Sequence, residues 1–218
     1  MEEVINGILI REVETKNIMT KSSLPVGGYS VNPYVGCTHA CKYCYASFMK
    51  RFTGHKEEWG TFLDVKHWPE IKNPKKYAGQ RVVIGSVTDG YNPQEEQFGN
   101  TRKLLEQLIG SDADILICTK SDLVVRDIDL LKKLGRVTVS WSINTLDENF
   151  KNDMDSASSI ERRIAAMKQV YEAGIRTVCF VSPVFPGITD FEAIFERVKD
   201  QCDPVSYTHL TLPTIYSV

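Results

Sequence analysis

The sequence predicts an α/β fold built on a parallel sheet, a TIM-like barrel or part of one. Three observations predict it. Short apolar runs rich in β-branched residues alternate with longer stretches of helical periodicity. Three of those stretches close on glycine, at Gly110, Gly135 and Gly174, the residue that best tolerates the left-handed turn after a helix. No GxGxxG follows the first strand and no GxxxxGK[ST] occurs, so dinucleotide and P-loop readings have no local support.

Taken in order, residues 1–28 read as an N-terminal extension, a small strand pair with turn signals at Asn6-Gly7, Pro25 and Gly27-Gly28. Residues 29–35 read as the first strand of the sheet, followed by a cysteine-rich loop and a short helix near residues 45–52. Residues 53–80, with Trp59, Trp68, Pro69 and Pro74, read as an irregular insertion. From Arg81 the rhythm is regular: strands at 81–84, 114–118, 137–142 and 177–181, helices at 94–109, 122–134, 159–173 and 190–200. About five βα units result, a core of residues 29–203. After Asp203 the pattern stops. The hexapeptide Val205-Ser206-Tyr207-Thr208-His209-Leu210 is what one reading frame of a transposon-adapter DNA end would encode. Residues 204–218 are therefore read as a non-native tail, with the chain cut where a sixth strand should begin.

The chain has 218 residues with 25% charged and a net charge of −2. That composition excludes wholesale disorder and a surface that grips phosphate backbone everywhere. It leaves room for a local basic groove: residues 42–81 hold nine Lys/Arg against four Asp/Glu, an excess of five. Such an excess is usually a solvated face. No apolar run approaches the roughly 18 residues that span a bilayer, and Met1-Glu2-Glu3 is acidic where a signal peptide is basic. The expected location is the reducing cytoplasm, where six cysteines serve as ligands, catalysts or core residues rather than disulfides. Cys118 and Cys179, inside apolar runs, read as core thiols.

Cys37-Thr38-His39-Ala40-Cys41-Lys42-Tyr43-Cys44 is a CxxxCxxC motif. Three thiolates can ligate three irons of a cubane and leave the fourth open. A structural zinc wants four ligands, and His39, wedged between two of the cysteines, reads as a loop residue rather than the fourth. This loop, from Asn32-Pro33-Tyr34-Val35-Gly36-Cys37 to Cys44-Tyr45-Ala46, resembles the cluster loop of the radical S-adenosylmethionine (SAM) superfamily. It is closest to the branch of spore photoproduct lyase and its "DNA repair photolyase" relatives. The resemblance extends through 88–93 (TDGYNP), 119–121 (TKS), 140–144 (SWSIN) and 182–187 (SPVFPG), in the same order.

The resemblance implies a partial (βα)6 barrel, a [4Fe-4S] cluster on Cys37, Cys41 and Cys44, and SAM cleaved by one electron to a 5′-deoxyadenosyl radical that takes hydrogen from substrate. It also implies a flavodoxin- or ferredoxin-type reducing partner. By the same resemblance Tyr43 lies near the adenine, Asp89 meets the SAM ammonium, Lys120 its carboxylate, Ser142 and Asn144 the ribose and carboxylate, and the backbone at Pro183-Val184 flanks the adenine. Each also suits a plainer role: a turn at Asp89-Gly90, a solvated Lys120, caps at Ser142 and Asn144, and packing by Tyr43. Arg162 and Arg163 read as exposed helix residues. The chain departs from the lyase at Val87, where the lyase has a cysteine that returns hydrogen to the product radical; valine cannot do so. The expected function is a radical SAM enzyme whose substrate the sequence does not name: nucleic acid is one candidate, with a peptide or small molecule, or a non-catalytic Fe–S or zinc module, as alternatives.

Overall fold

The computed structural model describes residues 2–22, 27–203 and 205–209. Its strands are β1 (Glu2–Ile5), β2 (Ile8–Glu14), β3 (Thr20–Lys21), β4 (Tyr29–Val31), β5 (Tyr34–Val35), β6 (Phe62–His67), β7 (Arg81–Ile84), β8 (Asp114–Thr119), β9 (Arg136–Ser142), β10 (Arg176–Val184) and β11 (Val205–His209). The helices are α1 (Glu95–Phe98), α2 (Asn100–Leu108), α3 (Ile128–Leu131), α4 (Glu148–Met154), α5 (Ile160–Glu172) and α6 (Phe191–Val198), with 3₁₀ segments at Tyr45–Phe52, Pro74–Tyr77 and Leu123–Asp127.

The main sheet runs β3-β4-β7-β8-β9-β10-β11. From β4 to β11 neighbours are parallel, and β3 adds antiparallel to β4. This is the predicted parallel α/β sheet of a partial barrel, with corrections to its parts. The expectation of five units with 204–218 outside the core misses β11, whose backbone pairs with β10 from Cys179↔Val205 to Val184↔His209. Residues 204 and 210–218 lie outside the described residues.

A second sheet, β1-β2-β6-β5, was only half legible. The β1–β2 hairpin turns at Asn6 (φ 50°) and Gly7 (φ 78°), the two left-handed residues of a type I′ turn. The 53–80 insertion is less irregular than expected, because β6 within it pairs with both β2 and β5. Ile10, Tyr34, Leu63 and Val65 form a separate small core there. Residues 29–35 form two strands in different sheets, split around Pro33, which lacks the N–H a continuous ladder needs.

The predicted helix 94–109 breaks at Gly99 (φ 63°) into α1 and α2. The break has a cause: the buried Glu95 carboxylate accepts the N–H groups of Thr101 and Arg102, capping α2 with a side chain from α1. In the same way, residues 122–134 divide into a 3₁₀ turn and α3.

Burial alternates along the central strands with the period of two that a pleat demands. Ile115, Ile117, Val139, Trp141, Cys179 and Val181 join the core with Leu104, Leu105, Ile164, Met167 and Ile194 from the helices. Leu116, Cys118, Ser142, Phe180, Ser182 and Val184 are half-buried on the opposite, barrel-inner face. Cys179 is therefore the expected core thiol. Cys118 is not: the reading of it as core is corrected, since it lies one residue out of phase with Ile117.

Candidate cluster and cofactor site

The cysteine loop joins β5 to the 3₁₀ segment Tyr45–Phe52 at the C-terminal end of the parallel strands. Close packing sets its path. Gly36 has φ 91°, and a Cβ there would stand 2.5 Å from the Phe62 carbonyl oxygen. Ala40 has φ 48°, and Gly60 opposite it is so close that an added Cβ would lie 2.7 Å from that of Ala40.

Two tethers hold the loop from different sides. On one, His39 Nε2 meets Asp89 Oδ2 at 3.0 Å. Asp89 also accepts from the Thr119 hydroxyl (2.9 Å) and from the backbone N–H groups of Lys120 (2.7 Å) and Tyr91 (2.8 Å). Burial alone would raise the Asp89 pKa, but His39 and the two N–H donors outweigh it and hold the carboxylate below its ordinary range. On the other side, the Lys42 N–H donates to Met154 O (2.9 Å), Ser156 N–H to His39 O (2.7 Å), and Tyr43 Oη–H to Asp155 (2.9 Å). Asp155 in turn accepts from Arg163 at 2.8 Å. Arg163 is buried and also donates to Ser142 O (3.1 Å) and Ser158 O (2.8 Å). The reading of Arg163 as an exposed helix residue is thus corrected, whereas Arg162 is exposed and pairs with Asp122.

Several predicted residues gather here. Lys120 Nζ stands 5.6 Å from the centre of the Tyr43 ring, and Tyr43 packs edge-on against Phe185 with centroids 5.5 Å apart. Lys120 continues the inner-face parity of Leu116 and Cys118, and Ser142 and Val184 share that face. Asn144 is buried just past β9, its Nδ2 3.5 Å from Ser182 O. Asp89 is placed differently: both its oxygens are engaged by protein donors, so it acts here as a strut of the loop. Sequence reasoning missed His39, Asp155 and Arg163 as parts of this framework. It also missed Asn32, whose Oδ1 accepts the Val87 N–H at 3.1 Å and fixes the loop after β7.

Cys37, Cys41 and Cys44 are unpaired and half-buried. Burial, then the nearby negative charge of Asp89 and the other two thiols, pushes the Cys37 pKa well up. Burial pushes Cys41 to about 11 against the opposing pull of Lys120. A strongly positive group beside Cys37 and Cys41, as iron would be, favours their thiolate forms. Among the described residues, no three His, Cys, Asp or Glu side chains converge on a single metal ion; a cubane instead takes its thiolates at separate iron corners. His39 Nδ1 is buried without a protein partner, a polar atom left over at the heart of this loop. The donor set fits an iron–sulfur cluster.

A parallel α/β sheet with three free thiols in one loop beside its strands' C-terminal ends is a frame on which a cluster-dependent enzyme can be built. The chain belongs to the radical SAM superfamily, whose family model matches residues 31–198. Membership brings a [4Fe-4S] cluster and SAM as cofactors. An uncharacterized protein of Methanocaldococcus jannaschii is 39% identical over 194 residues, covering 88% of this chain and 74% of that protein. The radical SAM Nalpha-GlyT isomerase of Pseudomonas phage M6 is 27% identical over 180 residues, covering 80% of this chain and 36% of that protein. Among solved structures, a spore photoproduct lyase variant with bound AdoMet and dinucleoside spore photoproduct superposes with a TM-score of 0.68 at 18% identity, covering 94% of this chain and 64% of that one. The chain therefore spans less than two thirds of the lyase and about a third of the phage isomerase. Among the described residues no helix is long and apolar enough to cross a membrane.

Proposed function

We propose that this chain is a radical SAM enzyme that binds its cluster through Cys37, Cys41 and Cys44 and acts on nucleic acid. The observation that carries the chemistry is the three-thiol loop, clamped at the barrel mouth beside Lys120 and Tyr43. When bound, the cluster and SAM supply a one-electron cleavage that yields a hydrogen-abstracting radical. The chain supplies the rest. Lys120 offers a cation to the methionyl carboxylate. Ser142 and Asn144 offer polar contacts to ribose and carboxylate, and Tyr43 and Val184 offer apolar surface to the adenine. The rings of Tyr43, Phe185 and Phe150 pack edge-on at this corner and offer it apolar surface. Asp89 is best read as holding the loop rather than touching SAM.

The nucleic-acid substrate is supported by the likeness to a lyase solved with a dinucleoside photoproduct and by the local excess of five positive charges. Val87 argues against photoproduct reversal by the lyase's thiol route. A reducing partner of flavodoxin or ferredoxin type and a cytoplasmic location belong to the same reading. The test is anaerobic reconstitution with iron and sulfide, then dithionite and SAM, with 5′-deoxyadenosine as readout. Wild type is expected to produce the nucleoside and Cys41→Ala to lose it. Stoichiometric zinc without cluster assembly would overturn the proposal.

A further inference from the structure

The 3₁₀ segment Tyr45–Phe52 leaves the cluster loop at Cys44 and buries only Ala46. Tyr45 is 67% exposed, Phe48 43% and Phe52 68%. Three of the ten large apolar side chains exposed among the described residues thus crowd into eight positions. Exposed rings in such number on one short element suit a contact surface. Arg51 lies over two of them, its guanidinium carbon 5.4 Å from the Phe48 centroid and 4.9 Å from that of Phe52. Residues 42–56 carry four cations (Lys42, Lys50, Arg51 and Lys56) and no carboxylate. The face is continuous with the barrel mouth, because the Tyr45 hydroxyl donates to the carbonyl of Ser86 in the loop after β7.

Exposed rings alternating with cations suit one ligand chemistry especially well. A single nucleic-acid strand presents flat bases that stack and phosphates that need positive charge. A duplex hides its base faces and cannot use the rings. A polymer whose reacting unit enters the barrel must also lay its neighbouring units outside, along a surface that starts at the mouth. We infer that this face is a binding track for an unpaired nucleic-acid strand, with bases stacking on Phe48 and Phe52 and phosphates meeting Lys42, Lys50 and Arg51. The inference deepens the nucleic-acid reading above and rests on it.

The experiment is fluorescence anisotropy of labelled dT20 and rU20 with the cluster-loaded protein across a salt series, with the matching duplex as comparison. Wild type is expected to bind the strands more tightly than the duplex, with affinity falling steeply as salt rises. Phe48→Ala/Phe52→Ala should weaken strand binding by about tenfold or more. Lys50→Glu/Arg51→Glu should flatten the plot of log affinity against log salt by roughly 0.7 for each phosphate no longer neutralised. Phe48, Arg51 and Phe52 are exposed and Lys50 is half-buried, and unchanged iron content and far-UV dichroism would verify the fold of both variants. If no strand binds wild type, the nucleic-acid reading falls and the track with it. If wild type binds and both variants bind equally well, the track is overturned while the substrate reading stands. Variants that keep strand binding but slow cluster reduction by an acidic flavodoxin also overturn the track and make the face a protein dock.

Discussion

At the scale of residues, the site depends on buried groups that never touch a cofactor. Asp155 is the clearest. It receives Tyr43 from the cluster loop and Arg163 from α5, both within 2.9 Å. Arg163 is 1% exposed, so Asp155→Ala would strand a buried charge, at a cost of about 3–5 kcal/mol. For a chain of this length that is a melting-temperature drop of roughly 6–20 °C, measurable on the apoprotein. Asp155→Asn should cost less, since it keeps an acceptor. Burial pushes the Asp155 pKa up, but Arg163, Tyr43 and Lys151 together hold it below the ordinary value. Its folded-state pKa therefore lies under its unfolded one. The stabilisation is present in full above about pH 4 and is lost as pH falls through the folded value. Thermal melts of wild type should thus worsen below about pH 4, and Asp155→Asn should show a shallower fall. None of this was visible in the sequence. Cys37, Cys41, Cys44 and Lys120 sit inside local motifs, whereas Tyr43 and Asp155 are 112 positions apart and no spacing rule joins them.

At the scale of elements, strands were legible wherever β-branched residues ran together, and helices wherever glycine closed them. What escaped was β6, because its phase is set by partners far away in the chain, and the Gly99 break, because its cause is a side chain reaching across two helices. Gly36 and Gly60 belong here as well. Their left-handed backbones let β6 and the preceding loop press against the cysteine loop. Gly36→Ala combines a φ penalty of about 1–2 kcal/mol with a clash on the Phe62 backbone. It is expected to lower iron incorporation more than far-UV dichroism. Normal iron content in a fully folded Gly36→Ala protein would show that the close approach does not shape the loop.

At the scale of the whole molecule, the two sheets share a charged hub. Tyr34 of β5 donates to Glu95, which also accepts from Arg126 at 2.7 Å. Arg126 and Arg102 both pair with Asp127 at 2.8 Å. Glu95 and Asp127 are fully buried. The N-terminal extension is thereby bound into the barrel, since β1 and β2 reach it through β6 and β5. Glu95→Ala should cost about 3–5 kcal/mol by leaving its partners uncompensated. The whole chain should then unfold earlier in urea as one transition. Two separated transitions would mean that the small sheet folds on its own.

The doubly tethered cysteine loop has a consequence for how the protein matures. Its backbone is fixed by hydrogen bonds to the Met154–Ser156 segment and by the His39–Asp89 contact, all made by protein groups alone. A zinc finger gains its fold from its metal; this loop has protein hydrogen bonds on two sides to hold its shape. Iron removed by a chelator should leave a cooperative melting transition in place, and iron returned later should enter a seat already formed. The assembly machinery would then meet a folded client, with the rate of loading set by delivery rather than by refolding.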